Sequence, residues 1–509
     1  MEFLFPSFQM LTLIISSIIF LFIIFKFKRA TTNKPECDLD RIPGPRRLPV
    51  IGNLHLLLSK LMPHLIFRKL AGEYGPLLRL QLGAVPFLIV SSMDVAKQIL
   101  KTHDVAFANR PPMHLAKTIS YNYTGLAMAP YGEYWRYLRK ICTLELLSSK
   151  RVRFSRSIRE EENLNLAAAI ASSKEESPVN LSEMVELTAY DIMYRSAVGE
   201  EAAAEKEEMA AAISQAAALG SGLSIADLYP SSKVLPFVTG MEYRRRKVFG
   251  VTDRVIESIV RRRRAAGPSD ERSEALVDVL LRCQQDDAEV RLTMDNIKAV
   301  ILDMFFAGTE TSSTTVEWVM SEMIRNPSTL KMAQDEVREV FDLMGYVDGD
   351  KFEELKYLKV VVKETLRLHP PGPLLLPRMN IEICEINGYQ IPAGTRVMVN
   401  AWALGRDPKY WDEAEKFKPE RFEGSSVDFK GNNLEFIPFG AGRRMCPGMS
   451  FGLDNVEFTL ATLLYHFDWK MAGKDLNMEE AFGMTAKRKN DLLLIPTIRR
   501  PLRMINKCK

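Results

Sequence analysis

One cysteine sits in a stretch suited to holding a single sulfur still. The run Phe439-Gly440-Ala441-Gly442-Arg443-Arg444-Met445-Cys446-Pro447-Gly448 surrounds Cys446 with glycines and a proline, which let a backbone take positive φ and turn tightly. Amides in such a loop can point at the sulfur and spread the charge of a thiolate. Arg444, two residues earlier, is expected to add positive potential that favours the ionised form. A lone caged thiolate suits axial ligation of haem iron; the plainer alternative is a glycine-rich turn around a buried structural cysteine. A second constellation, Ala307-Gly308-Thr309-Glu310-Thr311-Ser312, sets the acid Glu310 beside the alcohol Thr311. Delivering protons to bound dioxygen needs such a pair: a carboxylate that exchanges with water and a hydroxyl that both donates and accepts. The alternative there is a surface glutamate above packed threonines.

These groups need elements to place them. Thr293 reads as an N-cap with Asp295 in the first turn, and the periodic run continues to Asn326, where Pro327 stops it. At 1.5 Å per residue that is about 48 Å of helix. Gly308 at its middle costs roughly 1 kcal/mol relative to alanine, and the hydroxyl residues beside it can bond back to carbonyls. The composition predicts a local kink at 307–312, opening a groove wide enough for a diatomic ligand and a water. Leu78-Arg79-Leu80-Gln81-Leu82 and Phe87-Leu88-Ile89-Val90, separated by Gly83 and Pro86, read as a hairpin. Helical periodicity covers 92–101, 133–147, 152–171, 181–197, 205–219 and 243–265, and strand signals return only at 385–391 and 396–400. The expected fold class is mainly α with small β-sheets. Glu364 and Arg367 stand at i and i+3 in an apolar helix, so burial requires them to be fully partnered. The arginine-rich runs at 244–247 and 261–264 read as solvated helix faces.

Composition narrows the function classes. Apolar residues make up 47%, charged residues 26%, and the net charge is only +4, which gives no case for nucleic-acid binding. Residues 8–25 are apolar except for Gln9, Thr12, Ser16 and Ser17, and Lys26, Lys28, Arg29 and Lys34 follow at once. About 18–20 such residues cross a bilayer. The basic flank predicts a single N-terminal transmembrane signal anchor over 1–29 with the body in the cytosol. A cleaved signal peptide is the alternative, but the basic n-region and small-residue cleavage site it needs are missing. The endoplasmic reticulum is the expected membrane. Residues 30–49, ending in Pro43-Gly44-Pro45-Arg46-Arg47-Leu48-Pro49, form a proline-stiffened hinge, and 50–509 form one catalytic domain. The cysteines (Cys37, Cys142, Cys283, Cys384, Cys446, Cys508) include no C-x-x-C pair, so a cytosolic body predicts free thiols. The six histidines lack the H-E-x-x-H spacing of a zinc enzyme.

The phenylalanine, glycine, arginine, cysteine and glycine of the Cys446 loop resemble the haem-binding loop of the cytochrome P-450 family. Further motifs match in order: the proline-rich hinge, Phe107-Ala108-Asn109-Arg110-Pro111, Trp135-Arg136-Tyr137-Leu138-Arg139, the Glu310–Thr311 segment, Glu364-Thr365-Leu366-Arg367 and Pro419-Glu420-Arg421-Phe422. The set looks like the plant microsomal branch that includes many terpenoid hydroxylases. The resemblance implies the cytochrome P-450 fold behind the anchor, with haem b (heme, iron protoporphyrin IX) ligated by Cys446. It implies that Trp135, Arg139, Arg378 and Arg444 meet the haem carboxylates, and that Arg421 joins the Glu364–Arg367 pair in a structural role. Glu310 and Thr311 are then the catalytic pair of a monooxygenase that inserts one atom of O2 into a C–H bond. Relatives that rearrange hydroperoxides need no such relay. Electrons are expected from NADPH through a membrane-bound NADPH-cytochrome P-450 reductase, with Arg136, Lys140 and Arg443 near the docking face. The implied pocket segments are 113–126, 219–225, 301–311, 372–376 and 482–485. Met304, Phe305, Phe306, Leu374, Leu375 and Leu376 are expected to face a small apolar substrate, and Gly372 to leave room for a ring system. Such a wall suits a terpenoid of sesqui- or diterpene size. An alkaloid or phenolic substrate is the alternative, and a non-catalytic, membrane-anchored haem-binding protein is the reading from a different class.

Overall fold

Caps and prolines set where the helices of this chain begin and end. The computed structural model describes Ser17 and residues 38–59, 61–199, 203–220, 224–232, 234–266, 274–285, 291–473, 475–483 and 485–502. Five helices bear on the site: α1 (Glu133–Ile141), α2 (Met294–Gly308), α3 (Glu310–Arg325), α4 (Lys356–Leu368) and α5 (Met449–His466). At the head of α2 the Asn296 N–H donates to Thr293 Oγ1 at 3.3 Å, and the Thr293 N–H donates to Asn296 Oδ1 at 2.8 Å. This reciprocal cap satisfies two amides that the helix cannot. Pro327 does more than stop α3: it starts the next helix, Pro327–Phe341, where its missing N–H costs nothing.

Strands are few and short. β1 (Leu77–Leu82) and β2 (Val85–Val90) form the expected antiparallel hairpin, with Gly83 at φ +61 in its turn. They join β3 (Arg378–Met379) and β4 (Arg396–Val399) in a sheet of order β1-β2-β4-β3, in which β2 and β4 run parallel from Phe87 opposite Arg396 to Val90 opposite Val399. A separate hairpin pairs β5 (Glu480–Phe482) with β6 (Ala486–Arg488). The core falls into apolar clusters, one centred on α2 and its neighbours and another where Val316, Val319, Val361 and Leu460 bring α3, α4 and α5 together.

The structure departs from the sequence reading in places. The strand signal at 385–391 is itself a hairpin, Cys384–Ile386 against Tyr389–Ile391, turning at Asn387 (φ +52) and Gly388 (φ +81), the pairing of residues that favours a tight turn. The helix expected at 152–171 is divided into Ser149–Phe154 and Arg156–Ala171. The arginine runs are not purely solvated. Arg245 pairs with Glu242 and donates to Thr118, and Arg263 Nε donates to the Val198 carbonyl at 2.7 Å. The anchor and the first part of the hinge lie outside the described residues apart from Ser17. None of the described helices is long and apolar enough to cross a membrane.

Candidate active site

Backbone geometry shapes the loop around Cys446. Gly440 (φ +73) and Gly442 (φ +68) adopt left-handed conformations, and a side chain at 442 would run into Asp104 and the Leu100 carbonyl. Glycine is therefore required at 442. The Cys446 N–H donates to Phe439 O at 2.9 Å and the Met445 N–H to Gly442 O at 3.0 Å. Burial pushes the Cys446 thiol up, while the Gly448 amide and the charge of Arg139 pull against it. This corrects the expected role of Arg444. Its guanidinium turns away from the sulfur, donating to Ala108 O (2.7 Å), Leu126 O (3.3 Å) and Ala129 O (2.5 Å) and lying 4.2 Å over the Trp135 ring. Packing against 108–129 decides that direction, and proximity in sequence does not.

The long helix breaks as its composition predicts. Thr309 sits at φ −84, ψ −68, between α2 and α3, and its N–H reaches Phe305 O only at 3.4 Å. Thr311 Oγ1 donates back to Ala307 O at 2.7 Å. Ala307 is open to space while Met304, Phe305, Phe306 and Thr309 around it are buried. The hydroxyl oxygens of Thr309 and Ser312 are buried without a partner among the described residues. Glu310 Oε1 accepts from Thr485 Oγ1 at 2.7 Å. The helix α5, which begins three residues after Cys446, crosses this break: a Cβ added at Gly308 would stand 4.0 Å from the Phe451 ring, and one at Gly452 would stand 3.8 Å from Ser312 Oγ. The segment carrying the sulfur and the segment carrying the acid and the alcohol are thus in packing contact, while Gly308 makes room for Met193, whose sulfur would lie 2.6 Å from a Cβ there.

Positive charge collects beside them with little to balance it. Arg378 donates to Asp104 Oδ1 at 3.2 Å and to Ala441 O at 2.7 Å. Arg110 donates to the carbonyls of Ala127 (3.0 Å), Leu376 (2.9 Å) and Pro377 (2.8 Å). Neither Arg110, Arg139 nor Arg444 makes an ion pair among the described residues. Burial lowers all four guanidinium pKa values, that of Arg444 to about 9 with Arg378 and Arg139 pressing on it as well. A buried cation cluster is costly unless anions join it. Two carboxylates of a bound group, beside the Cys446 sulfur, fit this arrangement. The Trp135 indole is already used, donating to Leu126 O at 3.1 Å.

Beneath the loop, Arg367 grips Glu364 with Nε (2.8 Å) and Nη2 (2.7 Å), and Arg421 Nε donates to the same carboxylate at 3.0 Å. Arg367 also ties down the carbonyls of Gly405 (2.6 Å) and Ala414 (2.7 Å). The pair is fully buried and fully partnered, so its charges are compensated.

The pocket expectations divide. Phe305 is buried against Tyr190 and Tyr194, with ring centroids at 5.9 and 6.0 Å, so it belongs to the core and does not face the site. Leu376 is exposed, nothing crowds Gly372, and Leu375 lies against Gly440. Thr485 turns to Glu310 instead of lining a pocket. Residues 221–223 and 484 of the expected pocket lie outside the described residues. Sequence reading gave Asp303 no role, yet its carboxylate accepts from the Ala127 N–H at 3.0 Å and burial raises its pKa to about 6.

The cytochrome P-450 family model matches residues 42–495. Premnaspirodiene oxygenase of Hyoscyamus muticus is 49% identical over 494 residues, covering 95% of this chain and 97% of that protein. Tabersonine 6,7-epoxidase isoform 1 of Catharanthus roseus is 48% identical over 485 residues, covering 93% and 95%. A solved zebra fish cytochrome P-450 with abiraterone has the same fold, at TM-score 0.74 and 24% identity, over 87% of this chain and 100% of that one.

Proposed function

The chain belongs to the cytochrome P-450 family, and on that premise we propose that it is a monooxygenase that oxidises a C–H bond of a small terpenoid of sesqui- or diterpene size. Haem b is the family's cofactor, and bound through Cys446 it supplies the activation of O2 for insertion into that bond. Arg139, Arg378, Arg444 and Arg110 hold its carboxylates, and Trp135 keeps Arg444 in place by stacking. The Cys446 loop keeps the sulfur dry and fixed. Glu310 takes a proton from solvent at Oε2, the oxygen not engaged by Thr485, and passes it toward the Thr311 hydroxyl, which releases Ala307 O to receive it. Arg136, Lys140 and Arg443, all exposed, offer a basic face to an acidic reductase that brings electrons from NADPH.

The observation that carries this reading is the crossing of α5 over the helix break, which brings the Cys446 segment and the Glu310–Thr311 segment to one place. The terpenoid reading rests on a relative named for a diene; the relative named for tabersonine keeps an alkaloid substrate as the alternative. A panel of sesquiterpenes, diterpenes and indole alkaloids, screened by the substrate-induced shift of the haem spectrum and by turnover with reductase and NADPH, decides between them. Terpene hydroxylation supports the proposal, and turnover of alkaloids alone overturns it.

Membrane attachment belongs to the same proposal. Leu58, Leu61, Val234, Phe237 and Val238 are exposed apolar residues. Their segments are tied together where Tyr229 Oη donates to Val50 O at 3.1 Å and the Ala84 N–H donates to Leu228 O at 2.8 Å. On this reading these residues and the anchor meet the endoplasmic reticulum bilayer together.

A further inference from the structure

We propose that Thr485 is a positioning residue for proton delivery, holding the Glu310 carboxylate at the helix break; this rests on the reading of Glu310 given above. Thr485 Oγ1 donates to Glu310 Oε1 at 2.7 Å and lies 3.4 Å from Thr314 Oγ1, and both threonines are almost fully buried. The contact joins residues 175 positions apart, and the hairpin β5–β6 is clamped so that it persists. Trp318 Nε1 donates to Ala486 O at 2.9 Å, Arg488 Nη1 donates to Ser321 Oγ at 2.9 Å, and the Ala486 N–H donates to Pro371 O at 2.9 Å. Glu310, Thr314, Trp318 and Ser321 recur every three or four residues, so the hairpin lies along one face of α3. Gly483 lies beside the same carboxylate: a Cβ there would stand 3.9 Å from Glu310 Oε1, and 3.2 Å from Thr485 O within the turn.

Among the described residues Glu310 has no basic side chain in an ion pair. Its only side-chain partner there is a hydroxyl, which fixes one carboxylate oxygen. An arginine in that place would fix the carboxylate equally well but hold its proton off. Thr485 thus gives Glu310 a defined orientation without a charged partner.

The test uses the full-length enzyme reconstituted with NADPH-cytochrome P-450 reductase, measuring hydrogen peroxide released per NADPH oxidised, with premnaspirodiene as probe and without added substrate. Thr485→Val keeps the shape and removes the hydroxyl. It is expected to raise the peroxide yield several-fold and enlarge the solvent isotope effect on NADPH oxidation, with the carbon-monoxide spectrum unchanged. Thr485→Ser is expected to restore both values. Wild-type peroxide yield and isotope effect in Thr485→Val overturn the proposal, as does a Thr485→Ser variant that binds haem normally yet leaks peroxide as Thr485→Val does. Should Thr485→Val fail to bind haem, Thr485→Ala takes its place in the same comparison with the serine variant. Glu310→Gln separates the two readings. If it leaks and Thr485→Val does not, only the role of Thr485 falls; if Glu310→Gln behaves as wild type, the role of Glu310 falls and that of Thr485 with it.

Discussion

Glu310 and Thr311 stand directly after the break at Thr309, where the helix hydrogen bond to Phe305 O lengthens to 3.4 Å, and their predicted contribution is kinetic. Glu310→Gln is expected to lower kcat about 100-fold, the lower range for a positioned acid or base, with substrate binding spectra unchanged. Initial rates in H2O and D2O check this, and an unchanged rate would remove Glu310 from the mechanism. Asp303 makes a different prediction. Burial holds its carboxyl protonated up to about pH 6, against 3.8 for the free group. The folded state therefore keeps a proton that the unfolded chain has lost, and stability is greatest below pH 3.8 and falls as pH rises toward 6. Asp303→Asn, neutral throughout, is expected to flatten that slope in thermal unfolding curves recorded across the window. The same carboxylate presses on Tyr134 and Cys142, whose pKa values are raised, so their environment changes with it.

Among the elements, the Glu364–Arg367–Arg421 cluster fixes α4 to the segment leading to the Cys446 loop. Arg367→Ala leaves the buried Glu364 with Arg421 as its one remaining charged partner, which costs up to about 3–5 kcal/mol; urea titration measures the loss, and haem content is expected to fall with it. How legible these elements were in the sequence depended on how locally they are specified. The Thr293 cap, the break beside Gly308 and the β1–β2 hairpin were readable because neighbours a few residues apart determine them. Asn387-Gly388 is equally local, and the tight-turn signal was there to be read. The direction of Arg444 was not legible, because carbonyls more than 300 residues away receive it. Nor was the burial of Phe305: α2 is apolar nearly all round, so periodicity does not say which face meets the site. The resemblance places Thr485 in a pocket segment, and only the folded chain brings it to Glu310.

At the scale of the whole molecule, the proposed arrangement is a catalytic body held at a bilayer by an anchor, a stiff hinge and an apolar patch. Removing residues 1–29 is expected to release part of the protein from microsomal membranes, and changing Phe237 and Val238 to serine as well is expected to release the rest; sedimentation after expression measures both. A truncated protein that stays bound after both changes contradicts that arrangement. The central claim is that the Cys446 sulfur ligates haem iron, and the carbon-monoxide difference spectrum of the reduced protein tests it most directly. The wild-type protein is predicted to show the long-wavelength band of thiolate ligation, and Cys446→Ser to lose that band together with turnover. A serine variant that keeps both the band and the activity would contradict the account.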